Sequence, residues 1–157
     1  MKGKICEGTW FAVPLREGGF ATAVIARSSA RGGVLLAYFF GKIWQELPQL
    51  NELKALESPS SAVRILRVGD LGLIEGKWPI LGRDPEWRRG DWPVPLFVRK
   101  EELSRRAWIV HYSDEDPNVV KSETPTNYDA DLERDRLSGA GAVEIVLTNL
   151  LSKGDKT

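Results

Sequence analysis

His111 and Cys6 are the only histidine and the only cysteine in 157 residues. Together they set a low ceiling on catalytic chemistry. Nucleophilic catalysis wants a thiol or hydroxyl beside a base, and a zinc site wants three or four Cys, His or carboxylate ligands. Cys6 lies near one chain end, and His111 follows Trp108-Ile109-Val110 in an alternating stretch. Nothing local brings the two together, so His111 is read as a structural or exposed side chain. Neither a phosphate-cradling Gly-x4-Gly-Lys-Ser/Thr nor a Gly-x-Ser-x-Gly elbow occurs. Asp114-Glu115-Asp116 offers the oxygen ligands that a hard cation prefers. It lacks the glycine and distal glutamate of an EF-hand loop, and a solvated turn is the better reading. Paired carboxylates of glycosidase type need only spatial proximity, and acids are too common here to point to a pair. The expectation is a protein that is not an enzyme, with no catalytic residues, metal or cofactor.

Two charged stretches carry binding readings instead. Between Arg83 and Arg106, seven bases (Arg83, Arg88, Arg89, Arg99, Lys100, Arg105, Arg106) interleave with Trp87 and Trp92. Aromatics among arginines can stack nucleobases. Five acids (Asp84, Glu86, Asp91, Glu101, Glu102) leave the stretch only two charges positive, closer to a salt-bridged surface than to a nucleic-acid site. A nucleic-acid-binding module on this face is the alternative reading. The Trp87–Trp92 loop reads equally as a core plug or an exposed anchor. From Ser113 to Arg136 the balance reverses. Eight acids against three bases leave it five charges negative. Its plain reading is a solvated loop. Its functional reading is a docking surface for a basic protein, because complementary charge speeds encounter and selects partners. Asp114, Glu115, Asp116, Glu123, Asp129 and Asp131 are the candidate contacts, with Tyr112 and Tyr128 as amphipathic anchors.

These stretches need a scaffold. The length suits one domain, 1–157, and 42% hydrophobic content suits a folded core. With 22 basic and 22 acidic side chains, overall charge gives no pull towards nucleic acid or an anionic membrane. A lone cysteine excludes an internal disulfide framework and fits a reducing compartment. No apolar signal core follows Met1 to Lys4, and no run spans a bilayer. The reading is a soluble, cytoplasmic protein.

Thr9–Val13 reads as a strand stopped by Pro14, with Arg16-Glu17-Gly18-Gly19 as a turn. Phe20–Ala26 and the almost wholly apolar Val34–Phe40 complete a meander, the last buried on both faces. Leu47, Leu50, Leu53 and Leu56 recur every third residue and predict a helix over Glu46–Glu57, with Pro48 in its first turn. Ala62–Val68 alternates as a half-buried strand, with Arg64 and Arg67 on its wet side. Gly69 to Gly72 reads as a turn, residues 83–93 as an ordered loop, and Leu96–Val98 and Ala107–Tyr112 as short strands around a charged Arg99–Arg106 turn. Ser138 predicts the N-cap of a last helix over 139–152, with Val143, Val146, Leu147, Leu150 and Leu151 as its apolar stripe. Asp155–Thr157 should fray. The expected fold is α+β and mostly β: a curved antiparallel sheet covered by one short mid-chain helix and a C-terminal helix.

Glu75 to Gly82 joins two glycines to Trp78-Pro79, and Asp91 to Phe97 repeats the pair as Trp92-Pro93. Gly76 and Gly82 can take positive φ, while each proline extends the tryptophan before it. Both tryptophans should press into the same body of protein. Gly8-Thr9-Trp10-Phe11-Ala12-Val13-Pro14-Leu15 with Gly18-Gly19-Phe20, then Gly76-Lys77-Trp78-Pro79-Ile80-Leu81-Gly82 and Trp92-Pro93-x-Pro95-x-Phe97, resembles the immunity protein 26 family over residues 8–112. Leu47-Pro48-x-Leu50 matches that family's short helix region. The resemblance implies a largely β bacterial immunity protein that neutralises a cognate toxin by binding it. Trp10, Phe11, Pro14, Leu15, Trp78, Pro79, Gly82, Pro95 and Phe97 look like fold determinants and carry no binding role from the resemblance. If the toxin is a nuclease, its surface should be basic. Reversal of Asp114, Glu115 and Asp116 to lysine is then expected to weaken partner binding and leave folding intact.

Overall fold

The computed structural model describes residues 5–154; the readings made for Met1–Lys4 and Asp155–Thr157 lie outside them. Ten strands and three helices are described. The strands β1 (Thr9–Pro14), β2 (Phe20–Ser28) and β3 (Val34–Phe40) form the expected meander. β4 (Ala62–Gly69) extends it antiparallel to β3, and β5 (Ile80–Arg83) pairs with β1 on the far side. The two-residue β10 (Leu137–Ser138) runs parallel to β4, closing the six-stranded order β10-β4-β3-β2-β1-β5. A second sheet of order β8-β7-β6-β9 holds β6 (Phe97–Glu101), β7 (Arg106–Tyr112), β8 (Val120–Thr126) and β9 (Glu133–Arg134). The fold is α+β and mostly β, and the sheet expected from sequence has a companion.

Alternation along β2 and β3 builds three layers. Ala21, Ala23, Ile25, Leu35, Ala37 and Phe39 point one way, to a core shared with Val143, Leu147 and Leu151 of the last helix, α3 (Ala140–Gly154). Val24, Ala26, Leu36, Tyr38 and Phe40 point the other way, to a core shared with Phe97, Val110 and Tyr112 of the second sheet. β3 is buried at every position because both its faces are covered.

Several expectations change in detail. The mid-chain helix α1 spans only Leu50–Leu56, because Pro48 lies outside it and Gln49 forms the N-cap, in a reciprocal capping box with Glu52. Only Leu53 of the leucine series is fully buried; Leu47 and Leu56 are exposed. The Gly69–Gly72 turn runs into one helical turn, α2 (Leu71–Ile74). β6 carries on through Arg99 and Lys100, and the turn to β7 narrows to 102–105, where Arg105 takes φ +60°. α3 starts after Gly139, and Ser138 belongs to β10. On β4 the expected wet and dry sides are partly exchanged: Val63 is exposed while Arg67 is buried.

Gly76 and Gly82 do take positive φ, +75° and +138°. The two tryptophans of the repeated Trp-Pro pair, Trp78 and Trp92, do not share one core. Trp78 is fully buried on the helix side, stacked on Phe11 at 5.7 Å. Trp92 lies between the sheets, edge-on to Trp10 and Tyr38. The repeated Trp-Pro pair thus anchors opposite faces of the same sheet. Gly72 exists where it does because of Trp78: a Cβ there would come within 2.6 Å of the indole. Gly72→Ala is expected to lose about 1–3 kcal/mol through overpacking, read as a lowered urea midpoint.

Candidate partner-binding site

Register places two arginines on the face of the large sheet that meets the second sheet. Arg27 on β2 and Arg67 on β4 both pair with Leu36 of β3. Both are buried, at 2% and 7% exposure. A buried guanidinium needs carboxylate or carbonyl partners, and the acidic segment supplies them. Arg27 donates from Nε and Nη2 to Asp114 Oδ1 at 3.1 and 2.8 Å, and from Nη1 to the Ala26 carbonyl at 2.6 Å. Arg67 donates from Nε to the Pro117 carbonyl at 2.8 Å and reaches Asp135 at 3.4 Å. It also lies over the Tyr112 ring, 4.0 Å from the centroid, and the Tyr112 hydroxyl donates to the same Asp135 carboxylate.

This accounts for much of the acidic segment. Glu115 faces Arg89 at 3.5 Å, and Arg89 also holds Glu7 and Asp114. Glu123 pairs with Arg99 at 3.2 Å, and Glu133 with Arg64. Asp116, Asp129 and Asp131 have no ion pair among the described residues; Asp129 and Asp131 are exposed and Asp116 is half-buried. Asp116 caps its own turn by accepting from the Asn118 N–H at 2.9 Å. Of the two anchor tyrosines, Tyr112 is a core residue at 4% exposure. Buried there, it presents no anchor surface to a partner. Tyr128 is half-buried under Arg105 and Lys100, with centroid distances of 3.8 and 5.2 Å.

Reversal of Asp114, Glu115 and Asp116 to lysine therefore does not leave the fold untouched, because Asp114 is the partner of buried Arg27. Asp114→Lys sets an ammonium against the buried Arg27. The segment supplies no local sign of this, since 87 residues separate the pair. Arg27 also holds the Asp114 carboxyl below the ordinary carboxylate range, through its hydrogen bonds first and its charge second. A depressed carboxyl contributes stability that is present above its unfolded value, about pH 4, and is lost as pH falls through the folded one. Acid titration of stability is expected to show a drop below about pH 4 that Asp114→Asn flattens.

The basic stretch is equally engaged. Arg83 donates to the Glu7 carbonyl, Arg99 covers Trp108 at 4.2 Å, and Arg89 sits in the cluster above. Trp92 is 8% exposed and Trp87 stacks on it at 5.2 Å. Trp92 is the core plug of the loop, and the half-buried Trp87 lays one indole face against it. Cys6 Sγ contacts Thr9 Oγ1 at 3.5 Å, while His111 pairs with Ser122 across β7 and β8. Among the described residues no group of His, Cys, Asp or Glu is arranged to hold a metal ion, and no helix is long and apolar enough to cross a membrane.

A family model described as Immunity protein 26 matches residues 6–109, two thirds of the chain, from the approach to β1 into β7. No curated protein and no solved structure matches.

Proposed function

The chain belongs to the immunity protein 26 family, and from that premise we propose that it binds a cognate toxin domain and neutralises it by covering it, with no turnover. The carrying observation is the family match, which gives an immunity role. The cytoplasm is the proposed compartment, in keeping with a single half-buried free thiol. A non-catalytic role is supported by where the charged groups go: most acids of the 113–136 segment are tied to arginines of the same chain, two of them buried.

The proposed contact is the part of that segment left over, Asp116, Asp129 and Asp131, facing a basic toxin surface such as a nuclease carries for phosphate. The family match stops at residue 109, before the segment begins. The test is capture of the toxin by tagged protein from the native host, followed by co-expression of the two. A stoichiometric toxin domain whose toxicity the protein abolishes is the expected result. A bait that returns no toxin, or returns nucleic acid, defeats the reading. With the toxin in hand, Asp129→Lys and Asp131→Lys with Asp116→Asn, which keeps the acceptor of its turn, is expected to slow association roughly tenfold at low salt while the melting curve stays in place. An unchanged on-rate removes the segment from the contact.

A further inference from the structure

Where β4, β10 and α3 meet lies a cleft of about 310 Å³. Its apolar lining is Leu66 of β4, Leu137 of β10, and Ala142 and Val146 of α3. Leu137 is 51% exposed and Ala142 is exposed as well, so the lining opens to solvent. Arg134, Arg136 and Ser138 stand on the same cleft.

The run Glu133-Arg134-Asp135-Arg136 decides its charge. Both acids of the run are taken by arginines of β4. Arg64 donates to both oxygens of Glu133, from Nε at 2.6 Å and from Nη2. Asp135 is the charge partner of buried Arg67 and the acceptor for Tyr112. The arginines that alternate with them are left without a carboxylate. Neither Arg134 nor Arg136 has a hydrogen bond or ion pair among the described residues, and Arg134 is half-buried. The first turn of α3, on the facing wall, contains no acid. With Glu133 set against Arg64, two positive charges on the cleft have no counterpart in the protein. A half-buried guanidinium without an acceptor is poorly satisfied. The Ser138 hydroxyl is half-buried too and has no hydrogen-bond partner among the described residues, which adds a neutral donor.

The occupant must therefore be an anion with an apolar group close by. Inorganic phosphate meets the first demand and not the second. Aspartate and glutamate side chains carry a carboxylate but no branched apolar group. The C-terminal residue of a polypeptide joins both on one carbon, and a cleft of about 310 Å³ has room for such a residue. Guanidinium N–H groups match the two oxygens of a carboxylate in geometry as well as in charge.

We propose that this cleft binds the free C-terminal residue of a partner polypeptide, an aliphatic one such as leucine. The α-carboxylate sits on Arg134 and Arg136 and accepts from Ser138, while the side chain lies on Leu66, Leu137 and Val146. The site goes beyond the toxin reading and does not depend on it, since Asp116, Asp129 and Asp131 take no part in the cleft.

The test is a titration of ¹⁵N-labelled protein with acetyl-Ala-Ala-Leu, following the backbone amides of Ser138, Gly139 and Ala142. The expected result is a saturable shift of these signals. Arg134→Gln and Arg136→Gln, which remove no contact within the described residues, should each weaken binding about 3–5-fold. Ala142→Glu supplies the cleft with a carboxylate from an exposed position in the first turn of α3. It should abolish the shift without lowering the melting temperature. No saturable shift overturns the proposal, as does an equal shift with the C-terminally amidated peptide, which lacks the charge, or with acetate, which lacks the side chain. Undiminished binding to Ala142→Glu overturns it as well.

Discussion

Asp135→Ala is expected to cost about 3–5 kcal/mol of folding stability, far more than an ordinary surface acid. Asp135 lies in a polar connection between β9 and β10, yet its carboxylate is the charge partner of buried Arg67 and the acceptor for Tyr112. Truncation leaves a guanidinium between two sheets with one carbonyl to satisfy it, that of Pro117. It also strands a phenol whose ionisation burial already resists. The loss should fall on the packing of the second sheet against the first, because Tyr112 belongs to the core between them. Urea denaturation supplies the number. Two companions separate charge from shape. Tyr112→Phe removes only the hydroxyl and should cost about 1 kcal/mol. Arg67→Met with Asp135→Leu removes the whole pair and should recover most of the loss, as apolar replacement of buried ion pairs often does. If Asp135→Ala lies within 1 kcal/mol of wild type, water reaches Arg67 and the pair is not structural.

The same contact shows which parts of this molecule its sequence discloses. β3 is legible because seven consecutive apolar residues leave no polar side to face water. α3 is legible because Val143, Leu147 and Leu151 repeat at helical spacing, and they are the ones buried. The second sheet is not. β8 is Val-Lys-Ser-Glu-Thr-Pro-Thr, exposed at six of seven positions, so an edge strand with two wet faces shows no alternation to read. The acidic segment misleads for another reason. Its net charge is a local property, but its structural role is set by Arg27, Arg64 and Arg67, brought to it across 87, 69 and 68 residues. On a strand, Arg64 and Arg67 read as solvent-facing until a second sheet is known to cover them. Candidate contact acids could therefore be named by type, while their division into internal partners and free carboxylates waited on the fold.

Trp78→Ala is the other large effect, expected at about 3–5 kcal/mol, with the last helix loosened first. Trp78 is fully buried and parallel to Phe11, which is itself edge-on to Phe39. Its Nε1–H donates to Glu144 of α3 at 2.9 Å, and Glu144 also holds Arg16 at 3.1 Å. One side chain thus fills the helix-side core and ties α3 to the connection between α2 and β5, while Glu144 ties α3 to the loop after β1. Gly72 leaves no slack around it, so neighbours cannot close over the hole without moving α2. Alanine removes the stack, the hydrogen bond and the volume together. Trp78→Phe keeps much of the stack and leaves Glu144 its arginine, so a cost of about 1–2 kcal/mol is expected. Hydrogen exchange locates the damage: amides of α3 should lose protection in Trp78→Ala at denaturant levels where β2 and β3 keep theirs. Uniform loss across the large sheet and α3 would instead mean that the two unfold as one unit. In that case no variant of the helix-side core could loosen α3 while leaving a binding surface on the second sheet intact.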